Sequence, residues 1–291
     1  MINLSKWDKH CLLHARRLKE PGGHVYGLPV VGFFGNEVNG IRSYIDNETG
    51  LSQSSMVAVS SPAKVLVTGA NGYLAVWVVK KYLEAGYSVR GTVRSLAKSA
   101  FLNDQFAHYG DRFELVAIED ITKDGAFDDA VRGVDAIAHT ASPFHYKATH
   151  PDGTFLYSIY GPPSIVNWVY AELIIPAVRG TTSILNSALK HGNTVKRFIL
   201  TSSVAAIREE TTTPRVFNET NWNNAAVEAV NAKGSDAGPV VIYLASKTLA
   251  EKAAWEFVAT HKSEISWDLV AINPPYIFGV GFISLRLFSC H

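Results

Sequence analysis

Val67-Thr68-Gly69-Ala70-Asn71-Gly72-Tyr73-Leu74-Ala75 is the stretch whose reading decides the fold. Before it, Lys64–Thr68 is a short apolar run, as a strand buried on both faces should be. After it, Tyr73–Ala85 carries Leu74, Val78, Tyr82 and Leu83 at helical spacing, and Gly86 marks the stop. A glycine turn that ends a strand and opens a helix lets backbone amides approach a pyrophosphate at the positive helix terminus. Gly69, Asn71, Gly72, Tyr73 and Leu74 are therefore candidate cofactor-binding residues. Ala75 occupies the place where a third small residue permits close helix–strand contact. Such a turn can also be an ordinary connection, so its surroundings must decide.

Outward from the turn the pattern repeats. Ser88–Val93, Phe113–Ile118, Val134–Thr140, Arg197–Ser202 and Trp267–Ile272 read as strands, and Ile174–His191 and Ile242–His261 as helices. Strands alternating with helices predict an α/β chain with a doubly wound parallel sheet, the Rossmann arrangement for NAD(P). Ligands of such sheets bind beyond the carboxyl ends of the strands. Gly69, Arg94, Asp120, Ala141, Ser203 and Pro274 all fall at those ends.

The second strand selects the cofactor. An acid at its end would accept hydrogen bonds from the ribose of NAD, but Gly91-Thr92-Val93-Arg94-Ser95 holds none, and Lys98 follows. A guanidinium suits a 2′-phosphate, so NADPH/NADP+ is expected in preference to NAD. A solvated surface arginine is the plainer alternative. Asp120 is a candidate acceptor for the adenine amine, or else an exposed loop acid.

Tyr243-Leu244-Ala245-Ser246-Lys247 supplies the chemistry. A phenol with a pKa of about 10 is a poor acid at neutral pH. An ammonium one helical turn away stabilises the phenolate, and a four-residue interval puts both groups on one helix face. Tyr243 is expected to protonate a developing alkoxide, Lys247 to assist it and hold the nicotinamide ribose, and Ser203 to hydrogen-bond the substrate oxygen. By itself such a pair more often decorates a helix surface; after the glycine turn and the serine strand it reads as catalytic.

These stretches resemble the extended short-chain dehydrogenase/reductases, close to dihydroflavonol-reductase-like ketoreductases and methylglyoxal or aldehyde reductases. So do His139-Thr140-Ala141-Ser142-Pro143-Phe144, Pro176-Ala177-Val178-Arg179-Gly180-Thr181-Thr182, Leu200-Thr201-Ser202-Ser203 and Asn273-Pro274-Pro275-Tyr276-Ile277-Phe278-Gly279. The resemblance covers roughly residues 56–279. It implies NADPH, a Ser203–Tyr243–Lys247 triad and reduction of a small-molecule aldehyde or ketone. It also implies that Thr140 and Ala141 line the cofactor, with Pro274 near the nicotinamide. Ile121, beside Asp120, and Ser202, beside Ser203, join the cofactor-binding set. A core or turn position is the alternative for Thr140, Ala141 and Pro274.

Three departures accompany the resemblance. The family has a smaller C-terminal region over the substrate, whereas twelve residues follow Gly279 here, so that region is read as largely missing. Gly153–Tyr170 is an aromatic, Pro-rich interruption (Phe155, Tyr157, Tyr160, Pro162, Pro163, Trp168, Tyr170), unlike a solvated loop. Residues 1–61 show no sustained period and read as an irregular extension outside the fold, with Met56 where a family member would begin. The expected domain is thus 62–279, with a doubtful insertion at 153–170 and an aberrant tail at 280–291. An imperfect gene model explains all three: misassigned upstream sequence over 1–55, a retained intron at 153–170 and translated intron at the end. A genuine lid insertion near the active site is the alternative.

Composition narrows the classes. Hydrophobic residues form 47% and charged residues 18% of the 291, which predicts a sizeable core. A net charge of +1 gives no case for nucleic acid or an anionic membrane. No apolar run reaches the ~18–20 residues that span a bilayer. Cys11 and Cys290 are the only cysteines, so a reducing, cytoplasmic setting is expected, with a mitochondrial presequence the weaker alternative. The ten histidines show no ligand spacing, His139 reads as a strand residue, His145 and His150 as loop residues, and no metal is implied. Oligomeric state is left open. The second functional reading is an NAD-dependent nucleotide-sugar epimerase or dehydratase, the third a cofactor-binding fragment without activity.

Overall fold

In the computed structural model, residues 59–142 and 173–279 are described, with two short upstream strands, β1 (Leu12–Arg17) and β2 (Val30–Val31). The glycine turn joins strand β3 (Lys64–Val67) to helix α1 (Ala75–Glu84). Then come β4 (Ser88–Val93), α2 (Phe101–Phe106), β5 (Phe113–Ala117), β6 (Ala136–His139) and α3 (Ile175–His191). The second half holds β7 (Arg197–Thr201), α4 (Asn224–Lys233), α5 (Pro239–Thr260) and β8 (Asp268–Asn273).

Six strands pair in parallel in the order β5-β4-β3-β6-β7-β8. The chain winds outward from β3 to β5, then restarts at β6 on the other side of β3. That reversal opens a crevice between the carboxyl ends of β3 and β6, where an α/β sheet takes its ligand.

Alternation along the strands builds the two layers of core. Val65 and Val67 pack with Val76, Val79 and Leu83 of α1 on one face. Leu66 and Ile137 turn to the other face, against Ile184 and Leu185 of α3 and Ala254, Phe257 and Val258 of α5. Leu66, Ile137, Ile184 and Leu185 are fully buried, and each such side chain contributes about 1.5–3 kcal/mol. The parallel sheet and the flanking helices agree with the reading from sequence.

Gly91 shows how tightly the turn is seated on β4. A Cβ there would lie 2.8 Å from Ala70 Cβ and 3.0 Å from Leu115 Cδ2. Gly91→Val is expected to lower stability by about 1–3 kcal/mol, read as a fall in the denaturation midpoint. An unchanged midpoint would mean that Ala70 is free to move off the strand.

Several elements differ from expectation. Helix α5 begins at Pro239 rather than Ile242, because proline is well tolerated in a first turn and Gly238, at φ +84°, ends the preceding segment. Helices α2 and α4 were not anticipated; α4 is marked by a cap, Asn223 Oδ1 accepting from the Ala226 amide at 3.2 Å. The sequence reading treated residues 1–61 as irregular, yet β1 runs antiparallel to β8, with His14 opposite Asn273 and Arg17 opposite Val270, and β2 pairs with β1. An edge strand offers a row of backbone donors and acceptors, and a short extended segment can pair with it whatever its own periodicity. The doubtful segments 153–170 and 280–291 lie outside the described residues, as do Cys11, Cys290, His145 and His150. Among the described residues no helix is long and apolar enough to cross a membrane.

Candidate active site

One buried hydroxyl ties the glycine turn to β6. Thr68 Oγ1 accepts from the amides of Thr140 and Ala141, both at 3.0 Å, and lies 2.9 Å from His139 Nδ1. Having accepted twice, it has its single proton left for the imidazole, which puts the ring proton of His139 on Nε2. Burial, with a smaller contribution from Lys247, holds the His139 pKa down at about 3, so the ring stays neutral. Thr140 Oγ1 returns a hydrogen bond to the Thr68 carbonyl. Gly69 therefore sits against Ala141: at φ +65°, a Cβ on it would lie 3.2 Å from both Ala141 Cα and Cβ. Thr68→Val leaves two amides and an imidazole nitrogen unsatisfied at about 1–3 kcal/mol each, so a loss of about 3 kcal/mol or more is expected in chemical denaturation. A loss below about 1 kcal/mol would mean that water replaces the hydroxyl.

The backbone amides of the turn fall into two groups, those with an acceptor and those without one among the described residues. The amides of Gly69 and Ala70 are taken by Thr92, at 3.2 Å to Oγ1 and 2.8 Å to its carbonyl, and Gly72 N–H returns to Gly69 O at 2.8 Å. The amides of Tyr73 and Leu74, at the mouth of α1, have no acceptor among the described residues. Asn71 Nδ2 donates to Ser99 Oγ at 3.1 Å, and the Tyr73 hydroxyl donates to the Gly279 carbonyl at 2.6 Å.

Beyond β4 and β5 lie the groups expected at the adenosine end. Arg94 and Lys98 are exposed. Asp120 Oδ1 accepts from the Thr122 hydroxyl at 2.7 Å and its amide at 2.9 Å; these bonds hold the carboxyl below its usual range, with smaller help from Lys123 and Arg94. Asp120 is thus oriented by its own loop, and Ile121 packs half-buried against the larger core.

The Tyr243–Lys247 pair lies on α5, with Lys247 Nζ 5.9 Å from the centroid of the Tyr243 ring. Lys247 Nζ donates to Ser142 Oγ at 3.0 Å, which brings α5 to the end of β6. Burial lowers the Lys247 pKa to about 8, against an opposing pull from Glu251. Ser203, half-buried just past β7, accepts at Oγ from the Ala205 amide at 3.1 Å, and its proton remains to be donated outward. Ser202 turns inward to donate to Glu251 Oε2 at 2.6 Å, so the two adjacent serines have different surroundings. Pro274 is buried and its carbonyl accepts from Val204 N–H at 3.0 Å.

Sequence reasoning missed Thr68, Ser142, Glu251 and Asn273 as site-supporting groups. Glu251 could have been found, since it continues the four-residue step from Tyr243 through Lys247. Ser142 and Asn273 meet α5 only through tertiary contacts.

Comparison with known proteins bears on the family and the fold. The model of a family described as the NAD dependent epimerase/dehydratase family matches residues 65–286. A ketoreductase, azaE, of Aspergillus niger is 37% identical over 220 residues, covering 74% of this chain and 57% of the relative. The NADPH-dependent methylglyoxal reductase GRE2 of Saccharomyces cerevisiae is 34% identical over 223 residues, covering 74% and 58%. The crystal structure of yeast methylglyoxal/isovaleraldehyde reductase Gre2 complexed with NADPH superposes with a TM-score of 0.63 at 34% identity, over 75% of this chain and 59% of that one. The chain thus spans a little over half the length of these relatives.

Proposed function

The chain belongs to the NAD dependent epimerase/dehydratase family, and from that premise we propose that it is an NADPH-dependent reductase of a small aldehyde or ketone. The observation that carries the proposal is the Tyr243–Lys247 pair, held by Ser142 at the carboxyl end of β6 beside the glycine turn. The names of the relatives, a ketoreductase and an NADPH-dependent methylglyoxal reductase, support the substrate class.

The residues present suit the cofactor. The open amides at the mouth of α1 would hold a pyrophosphate, and exposed Arg94, with no acid at the end of β4, would take a 2′-phosphate. Bound NADPH would supply the hydride. Ser203 donates a hydrogen bond to the substrate carbonyl oxygen and orients it. Tyr243 gives its phenolic proton to that oxygen as it becomes an alcohol, and the Lys247 ammonium stabilises the phenolate left behind.

The test is NADPH consumption, followed by absorbance, with a panel of small ketones, aldehydes and methylglyoxal and with NADH in parallel. Turnover with NADPH, and markedly less with NADH, is the expected result. Tight NADPH binding without turnover of any carbonyl would sink the reductase reading.

A further inference from the structure

Glu251 is a buried acid that the chemistry above does not use. It is 1% exposed and lies one helical turn beyond Lys247, on the face that carries Tyr243. Its Oε2 accepts from Ser202 Oγ at 2.6 Å and from Asn273 Nδ2 at 2.7 Å, and its Oε1 from Trp255 Nε1 at 3.3 Å. Three donors from three different side chains thus converge on this one carboxyl. Asn273 Nδ2 also donates to the Ser203 carbonyl at 3.0 Å. Both neighbours of that nitrogen are acceptors, which orients the amide; its Oδ1 is buried with no hydrogen-bond partner among the described residues. A buried amide that leaves its oxygen unsatisfied is held in place by what its nitrogen does.

We propose that Glu251 and Asn273 are positioning residues of this site: Glu251 is the counter-charge of Lys247 and, through Asn273, the anchor of the Ser203 backbone. The inference rests on the reductase reading for its meaning, but the geometry joins α5, β7 and β8 independently of any substrate. Among the described residues, the titratable and charged groups facing Lys247 are Tyr243 and Glu251 on its own helix and His139 from β6, and the last stays neutral. Glu251 therefore supplies the negative charge that opposes the burial of the ammonium.

The test is carbon-13 NMR titration of the Lys247 Cε in the full chain, with the resonance assigned by its loss in Lys247→Met. In Glu251→Gln the midpoint is expected to fall by about one pH unit, and Glu251→Asp should restore most of it. An unshifted midpoint in a folded Glu251→Gln overturns the proposal. Should Glu251→Gln fail to fold, Glu251→Met, which also removes the charge, decides by a comparable fall, and an unchanged midpoint again overturns the proposal. Asn273→Ala, which keeps the charge, should leave the midpoint in place and lower kcat more than it raises KM; the reverse pattern counts against the anchor. Because the titration needs no turnover, a shifted midpoint in a chain that reduces nothing would sink the reductase reading and leave this one standing.

Discussion

Tyr243→Phe is expected to lower kcat for carbonyl reduction by about 10²–10⁴-fold, the usual worth of a positioned general acid. The change deletes one oxygen and leaves the ring on which Lys247 rests, so the fold and the Lys247–Ser142 hydrogen bond should survive. NADPH affinity, read by fluorescence, should stay within about twofold, because the glycine turn and Arg94 lie on other elements. KM should change little, since the lost interaction forms only as the oxygen gains charge. A variant that keeps more than about a tenth of wild-type kcat would show that water, or another side chain, delivers the proton.

Lys247→Met should cost activity on a similar scale and, in the opposite direction, gain stability near neutral pH. The sign follows from the direction of the shift. The folded-state pKa of Lys247 is pulled down to about 8 from an ordinary 10.5, chiefly by burial. Below the lower value the buried ammonium is a full cost to the fold; that cost is relieved as pH rises from about 8 towards 10.5, because the unfolded chain then binds more protons. Methionine, similar in length and uncharged, removes the cost at every pH. Denaturation midpoints should therefore favour Lys247→Met at neutral pH, and the gap should close as the solution becomes alkaline. Wild-type turnover should decline as pH rises through about 8, where the ammonium that stabilises the phenolate is lost. A variant no more stable than wild type at neutral pH would mean that the ammonium is well solvated.

Much of the fold could be read along the chain, for a physical reason. Doubly buried strands such as Lys64–Val67 are continuous apolar runs, and helices such as Ile175–His191 carry an apolar stripe, so both appear as local pattern. The turn from Gly69 to Ala75 is legible because glycine is demanded locally, by a positive φ at Gly69 and a helix that opens three residues after Gly72. Tyr243 and Lys247 share a helix face by spacing alone.

What the tertiary structure alone decided is which distant groups meet. Spacing cannot say that Ser142 reaches Lys247 across 105 positions, or that Thr68 holds the end of β6 across 71 to 73. Nor can it say that Ser202 faces a buried carboxylate while Ser203 faces out, since adjacent residues of an extended segment point to opposite sides and the partner on either side is set by packing. The same holds for Asn273, whose one amide links β8, α5 and the Ser203 backbone. Local sequence specified the elements and the reactive pair on one of them; only the packing of helix against sheet assembled the groups that hold that pair in place.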